Sequence, residues 1–278
     1  MKLYNTRSGI VLDDADKRYL IHQAWHKFVN DDNLYQKCLS ITSNEAPINN
    51  GVAFIQKQLI KPIDKQEIWA SGVTYYNSKL GRQEESKNAG GGDYYEKVYK
   101  ADRPELFFKS TADRAVGHGE QIAIRKDSSW NVPEPELTLF ITTNAKIVGY
   151  TIGNDVSSRS IEGENPLYLP QAKTYDRSAA IGPCLFVPPH KLSSETSIEL
   201  KIFRNKKLEF QGSISVDQIV RKFEDLVRYL YFETSFPFGS YLMTGTGIVP
   251  DSNFTLQGGD KVEITISHIG TLINTVAE

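Results

Sequence analysis

The stretch NVPEPELTLFITTNAKIVGYTIGNDVSSRS, residues 131–160, predicts a β-hairpin with acidic side chains near its open end. Two apolar runs flank the turn-like segment TTNAK, which is the usual pattern of a hairpin. Residues two apart in a strand share a face, so Glu134 and Glu136 project together. If the hairpin is symmetric about residues 144–145, Asp155 lies opposite Glu134 and shares that face. A register shift of one residue would turn Asp155 away, so the convergence of the three carboxylates depends on the register.

Three carboxylates at close range repel one another strongly unless a cation compensates their charge. Ligation by oxygen alone suits Mg²⁺, Mn²⁺ or Ca²⁺ better than zinc, which favours histidine and cysteine ligands. The alternative is a solvated strand face on which the acids have no partner, and a bare E-x-E motif does not exclude it. Taken by itself, the hairpin leaves both a metal site and a wet sheet face open.

The composition is that of an ordinary globular protein, with 278 residues of which 40% are apolar and 24% charged. A formal net charge of −2, with the basic residues scattered, argues against a nucleic-acid partner or an anionic membrane surface. The two cysteines, Cys38 and Cys184, form neither a metal-spaced cluster nor a disulfide framework. No apolar run resembles a signal peptide or a membrane span. These features predict a soluble, cytoplasmic protein.

After the first 60 or so residues, the sequence changes to short β-like runs separated by turn residues. This change predicts a small N-terminal α/β domain over residues 1–62 and a larger domain over 63–278. A strand is expected at Ser8–Leu12. A helix is expected after it, because apolar residues recur there with helical spacing. Those residues are Tyr19, Leu20, Ala24, Trp25 and Phe28.

The larger domain is dominated by short β-like runs separated by turn residues, which is typical of a sandwich, barrel or roll. The predicted strands are Glu67–Val73, Glu105–Lys109, Ile122–Arg125, Glu136–Thr142, Ile147–Ile152, Ser197–Ile202, Lys207–Ile214 and Lys261–Ser267. One helix is expected at Val216–Phe232, where apolar residues form a single stripe. Residues 76–100 are predicted to form a long loop, either a lid over a site or a solvated excursion.

Three further segments carry polar residues that are candidates for chemistry. Lys173 follows a proline and precedes small residues; near a divalent cation its ammonium form is disfavoured, so it could exchange protons, although it could equally be a surface lysine. His118 and Glu120 lie between glycines and are a candidate acid–base pair, or a structural turn. Thr244 and Thr246 lie on a glycine-containing loop whose N–H and hydroxyl groups could bind a carboxylate.

Taken in order, five segments resemble the fumarylacetoacetate hydrolase superfamily. They are PEPEL (133–137), GYTIGNDVSSRS (149–160), QAKTYDRSAAIGP (171–183), TGTG (244–247) and GGDKVEITISHIGTL (258–272). The resemblance implies an α+β fold built on a mixed β-roll, assembled as a homodimer or homotetramer. It also implies one Mg²⁺ or Mn²⁺ held by Glu134, Glu136 and Asp155, a catalytic role for Lys173, and a 2-oxo acid as substrate.

Within that superfamily, residues 95–137 and 164–183 are similar to the 2-keto-3-deoxy-arabinonate dehydratases. This closer resemblance implies a metal-dependent dehydration of a 2-keto-3-deoxy sugar acid through an enolate. It adds Glu105 to Lys173 as a catalytic residue. It also implies that Ser71, Lys79 and Thr246 contact the substrate.

Two alternatives stay open at this stage. The first is a C–C hydrolase or decarboxylase of a 2,4-dioxo acid such as an acylpyruvate or oxaloacetate, in which His118 and Glu120 would activate water. The second is a non-catalytic binding protein that has kept the fold, since a fold alone does not determine function.

Overall fold

The computed structural model describes residues 1–75 and 97–278. Lys79 and residues 76–96 of the predicted loop lie outside the described residues, whereas the described end of that segment, residues 97–100, is helical and not loop. None of the helices in the described ranges has the length and apolar character that crossing a bilayer requires.

Strands make up most of the described chain. They are β1 (Lys2–Thr6), β2 (Gly9–Asp14), β3 (Lys17–Ile21), β4 (Glu67–Gly72), β5 (Glu105–Thr111), β6 (Gln121–Ile122), β7 (Asn131–Val132), β8 (Pro135–Ile141), β9 (Ile147–Asp155), β10 (Ser157–Ser158), β11 (Ala179–Phe186), β12 (Ser197–Arg204), β13 (Lys207–Ser215), β14 (Ser240–Met243), β15 (Lys261–Ile266) and β16 (Gly270–Val276). The helices are shorter: α1 (Trp25–Val29), α2 (Leu34–Asn44), α3 (Gly51–Gln58), α4 (Arg159–Glu164), α5 (Leu169–Lys173) and α6 (Phe223–Tyr231), with 3₁₀ turns at Pro166–Tyr168 and Val216–Gln218.

The strands form two large sheets and one small one. A nine-stranded mixed sheet has the order β3-β2-β1-β11-β9-β8-β14-β4-β5, and a five-stranded mixed sheet has the order β13-β12-β15-β16-β6. Strands β7 and β10 pair beside them. Large mixed sheets with few helices confirm the predicted α+β fold class.

Strand β8 lies near the middle of the larger sheet and is buried on both faces. On one face Leu137, Leu139 and Ile141 pack in a core that includes residues of the five-stranded sheet. On the other face Phe140 packs in a second core with Trp25 and other residues of the N-terminal segment. The side chains of Glu134 and Glu136 share the face of Phe140. The face that carries the acids is therefore not wet, which excludes the solvated-face alternative.

All eight predicted strands of the larger domain occur, although the strand expected at Ile122–Arg125 is reduced to Gln121–Ile122. The prediction of a helix that includes Tyr19 and Leu20 was wrong for these two residues. Lys17–Ile21 is a strand because it closes a hairpin on β2, with Tyr19 opposite Leu12 and a turn at Ala15 in the left-handed region (φ 53°). Helical spacing of apolar residues did not distinguish this short strand from a helix.

The helix expected at Val216–Phe232 was also too long. Only Val216–Gln218 (3₁₀) and Phe223–Tyr231 are helical, because Ile219 and Lys222 have extended backbone angles. Strands β1, β7, β10, β11, β14 and β16 were not predicted. The domain boundary at residue 62 stays a prediction; β1 pairs with β11, so strands from both sides of it share one sheet.

Candidate active site

The register of the β8–β9 hairpin brings the three predicted ligands together. Pro135 pairs with Asn154 and Glu136 with Gly153, which sets Asp155 opposite Glu134. The N–H of Asp155 donates to the carbonyl of Glu134 at 3.0 Å. One carboxylate oxygen from each of Glu134, Glu136 and Asp155 lies within 4.8 Å of the others, and all three residues are buried. The sequence-based expectation of converging carboxylates is confirmed.

Lys173 supplies a cation that contacts two of these acids. It is the last residue of α5 and is fully buried. Its Nζ donates to Oε2 of Glu134 at 2.7 Å, to Oδ2 of Asp155 at 3.0 Å and to Oγ of Ser157 at 2.5 Å. A buried lysine with three oxygen partners cannot be the surface lysine that the sequence left open.

Two further cations surround the carboxylates. Lys109 of β5 is fully buried, and its Nζ lies 2.5 Å from Oδ1 of Asp155. It also donates to the carbonyls of Val156 (2.9 Å) and Lys173 (2.5 Å). Arg159, at the start of α4, donates from Nη2 to Oε1 of Glu134 at 2.7 Å.

Neither Lys109 nor Arg159 was predicted from the sequence as a residue of the site. Lys109 stands within the strand ELFFKST, where a charged residue directly after two phenylalanines was the available signal. Arg159 follows Asp155 by four residues, at the end of the strand pair. Both become recognisable only when the sheet brings them to the acids, because nothing in their local spacing points to a carboxylate partner.

The electrostatic environment shifts the pKa values of Glu136 and Asp155 in opposite directions. Burial, together with the nearby Asp155 and Glu134, raises the pKa of Glu136 well above its usual 4.5, and its Oε2 accepts a hydrogen bond from the N–H of Gly245 at 2.5 Å. Burial also acts to raise the pKa of Asp155, but Lys109 and Lys173 outweigh it and hold this pKa below its usual value. Burial lowers the pKa of Lys109, partly offset by Asp155.

These side chains open onto a small cavity. It is lined by Ser71, Gly72, Val73, Phe107, Glu134, Glu136, Asp155, Arg159, Lys173, Gly245 and Thr246. Ser71 and Thr246, both expected from the sequence to contact substrate, are thus placed on the wall of the cavity.

Glu105 is not among the residues that line this cavity, but it lies opposite one of them, Gly72, in the β4–β5 pair. A Cβ atom at residue 72 would lie only 2.0 Å from Oε2 of Glu105, so the glycine leaves the space that the carboxylate occupies. That oxygen is buried, and no donor among the described residues reaches it.

His118 and Glu120 lie elsewhere. Nδ1 of His118 accepts from the N–H of Ile273 in β16 at 3.2 Å, and burial lowers its pKa. Oε2 of Glu120 accepts from the N–H of Gly117 at 2.6 Å. Neither side chain lines the cavity, so the structure does not bring this pair to the carboxylates.

The donor set fits a divalent cation that prefers oxygen. The three ligand candidates are carboxylates from one hairpin, they are buried, and the cavity adjoins them. Neither histidine nor cysteine belongs to this group of ligand candidates, so zinc is disfavoured and Mg²⁺ or Mn²⁺ suits the site.

Two curated relatives share close to half of their aligned residues with this chain. A probable 2-keto-3-deoxyxylonate dehydratase of Haloferax volcanii is 48% identical over 229 residues, which is 81% of this chain and 76% of the relative. A 2-dehydro-3-deoxy-D-arabinonate dehydratase of Saccharolobus solfataricus is 47% identical over 221 residues, which is 79% of this chain and 74% of the relative.

A solved structure agrees with these relatives. A 2-keto-3-deoxy-D-arabinonate dehydratase complexed with magnesium and 2,5-dioxopentanoate superposes with a TM-score of 0.83 at 37% identity, covering 100% of this chain and 99% of the other. The family model described as the C-terminal part of fumarylacetoacetate (FAA) hydrolase matches residues 74–277. This chain therefore belongs to the fumarylacetoacetate hydrolase C-terminal family.

Proposed function

We propose that this protein is a metal-dependent dehydratase that converts a 2-keto-3-deoxy sugar acid, a pentonate such as 2-keto-3-deoxy-arabinonate, to 2,5-dioxopentanoate. The observation that carries the proposal is the buried cluster of Glu134, Glu136, Asp155 and Lys173 at one small cavity. The similarity of the whole fold to a dehydratase complexed with magnesium and that product supports it.

Mg²⁺ or Mn²⁺ is the cofactor we assign, and Glu134, Glu136 and Asp155 are the residues that would hold it. When bound, such an ion supplies Lewis-acid polarisation of the substrate's carboxylate and keto oxygens, which makes the C3 protons more acidic. Ser71 and Thr246, which also line the cavity, would orient the acid end of the substrate. We also keep Lys79, which lies outside the described residues, as a contact of the sugar-acid end.

Lys173 and Glu105 are the groups that we assign to proton transfer. Lys173 contacts two of the ligand carboxylates and is therefore beside the keto end, so we assign it the proton on C3. Glu105 lies opposite Gly72, which lines the cavity, and would protonate the departing C4 hydroxyl. Loss of the C3 proton and the C4 hydroxyl leaves a C3–C4 double bond. Transfer of two hydrogens from C5 and its hydroxyl to C3 and C4 then gives the 2,5-dioxo acid.

The C–C hydrolase or decarboxylase alternative loses its support at this point. It requires His118 and Glu120 to activate a water molecule, but their polar atoms contact Ile273 and Gly117 and not the cavity. The relatives that share close to half of their aligned residues are dehydratases.

A panel of substrates tests the reaction. Metal-loaded protein is incubated with 2-keto-3-deoxy pentonates and hexonates, an acylpyruvate and oxaloacetate, and the products are identified by mass. We expect loss of one water from a keto-deoxy acid, only with Mg²⁺ or Mn²⁺ present. Cleavage of the acylpyruvate, or release of CO₂ from oxaloacetate, without any dehydration would contradict the proposal.

The division of labour has its own test, which is exchange of the C3 hydrogens with deuterium from D₂O in recovered substrate. Glu105→Gln should still exchange at C3 while failing to eliminate water. Lys173→Met should do neither. Exchange at the normal rate in Lys173→Met would show that another group takes the C3 proton.

Cellular location and assembly are part of the same proposal. We assign the protein to the cytoplasm, because Cys38 and Cys184 are both buried free thiols, as expected of a reducing compartment. We assign a homodimer or homotetramer, which sedimentation velocity would test by giving the mass of the particle.

A further inference from the structure

We propose that Lys109 sets the metal selectivity of the site: by occupying one oxygen of Asp155, it keeps this ligand monodentate and so favours a small octahedral cation over Ca²⁺. The inference rests on the proposed function, because it concerns the ion that the carboxylates hold. Its test measures binding and does not use turnover.

In each ligand carboxylate, one of the two oxygens is bound to a donor other than Lys173. The pairs are Asp155 Oδ1 with Lys109 Nζ (2.5 Å), Glu134 Oε1 with Arg159 Nη2 (2.7 Å) and Glu136 Oε2 with the N–H of Gly245 (2.5 Å). This pattern leaves a single oxygen of each carboxylate for a metal ion.

The remaining oxygens converge. Oε2 of Glu134 and Oδ2 of Asp155 both accept from the same ammonium, that of Lys173. Oε1 of Glu136 receives no hydrogen bond from residues 1–75 or 97–278. The ammonium of Lys173 thus lies where two of the three available oxygens meet. A metal ion bound by these oxygens would compete with it for that position.

Lys109 is held more firmly than the ammonium of Lys173. The ammonium of Lys109 donates hydrogen bonds to the carbonyls of Val156 and Lys173 and forms an ion pair with Oδ1 of Asp155 at 2.5 Å. Two of these partners are main-chain atoms, and the residue is fully buried. Moving the ammonium away from Oδ1 would also break its hydrogen bonds to the buried carbonyls of Val156 and Lys173, so we expect Oδ1 to stay occupied when Oδ2 changes its partner.

Denticity is what separates the two kinds of ion. Ca²⁺ takes about six to eight oxygen ligands and commonly uses a carboxylate through both oxygens. Mg²⁺ requires an octahedral shell and keeps positions for water or substrate. Three single oxygens supply half of an octahedron, whereas they leave Ca²⁺ short of ligands. Freeing Oδ1 of Asp155 would add the oxygen that Ca²⁺ can use and Mg²⁺ cannot.

Titration calorimetry of metal-free protein with Mg²⁺ and with Ca²⁺ tests the proposal. The variant is Lys109→Met, which keeps an unbranched side chain and removes the ammonium. The readout is the ratio of the two dissociation constants, because the loss of one positive charge changes the affinity for both divalent ions alike. We expect the ratio to shift toward Ca²⁺ by about tenfold or more, the size typical of changes to groups that support metal ligands.

Lys61→Met is the matched control. Lys61 is also a lysine that donates to main-chain carbonyls, those of Ala112 (2.6 Å) and Ala115 (2.9 Å), but no ligand carboxylate is among its partners. Its ratio should equal that of the wild type. A Lys109→Met variant in which both affinities change in parallel, or neither changes, would overturn the proposal.

A second variant covers the case in which Lys109→Met does not fold. Arg159→Gln frees Oε1 of Glu134 and should shift the ratio in the same direction, and an unchanged ratio there would also count against the proposal. The two levels of inference separate cleanly. If the ratio of dissociation constants shifts but the protein does not dehydrate sugar acids, the role of Lys109 in metal selectivity stands and the proposed reaction is wrong.

Discussion

Replacing Gly72 by alanine should reduce turnover sharply while leaving the fold intact. The three atoms nearest to a Cβ at residue 72 all belong to the side chain of Glu105, with Oε2 at 2.0 Å and Cδ at 2.7 Å. Ordinary contact begins near 3.4 Å, so Oε2 must move by about 1.4 Å. Misplacing a reacting group by about 1 Å costs about 100-fold in rate.

The cost in stability should be small, because the group that moves is the end of a flexible side chain. We expect the free energy of unfolding of Gly72→Ala to stay within about 1 kcal/mol of the wild-type value. The assay is kcat and KM for the substrate found in the panel, with product measured by mass, alongside urea unfolding. Gly258→Ala is the control, because its new methyl group would meet only the C-terminal residues, at 3.2 Å or more.

A double variant refines the same prediction. If Gly72→Ala acts by displacing the Glu105 carboxylate, adding it to Glu105→Gln should lower kcat little further, since coupled groups are not additive. A Gly72→Ala enzyme with wild-type kcat would refute the placement of Glu105 in the reaction. A double variant whose kcat falls by the product of the two single effects would refute it as well.

Three further outcomes are expected. Chelation should abolish turnover and Mg²⁺ or Mn²⁺ should restore it, whereas Glu134→Gln should stay inactive at any metal concentration; an active metal-free Glu134→Gln protein would refute the mechanism. In metal-free protein the raised pKa of Glu136 means that the folded state keeps a proton which the unfolded chain releases near its ordinary value of 4.5. This contribution to stability is present below that pH and is lost as the pH rises through the folded-state pKa. Urea midpoints measured against pH should show the decline, and Glu136→Gln should flatten it. Leu139→Ala, in the first core, should lower the free energy of unfolding by about 2–5 kcal/mol, while Leu167→Ala, at a side chain that is 83% exposed, should change it by about 0.5 kcal/mol or less.

The hairpin was the part of the site most open to prediction, and the reason is physical. A turn centred on residues 144–145 and a period of two residues are enough to place Asp155 opposite Glu134, and the structure has that register. Burial of the acids could not be derived in the same way. It depends on Phe140 and the N-terminal segment covering that face of β8, which is a contact distant in sequence.

Residues that act through tertiary contacts were the ones that local patterns missed. Lys109 reaches Asp155 because β5 and β9 lie in one sheet, and its ammonium also contacts the carbonyl of Lys173 at the end of α5. Tyr19 was assigned to a helix because its spacing with later residues is helical, but pairing with β2 decides the conformation. His118 was a candidate catalytic group because of its imidazole, but its Nδ1 accepts a hydrogen bond from the main-chain N–H of Ile273 in β16.

The most direct test of the central claim follows bound metal and turnover in one titration. Metal-free protein is titrated with Mn²⁺, bound ion is measured by electron paramagnetic resonance, and the initial rate of dehydration is measured on the same samples. The account predicts a rate that rises in proportion to bound Mn²⁺ and saturates at one ion per chain, with no binding at this site in Glu134→Gln. Dehydration at full rate before any ion is bound would contradict it.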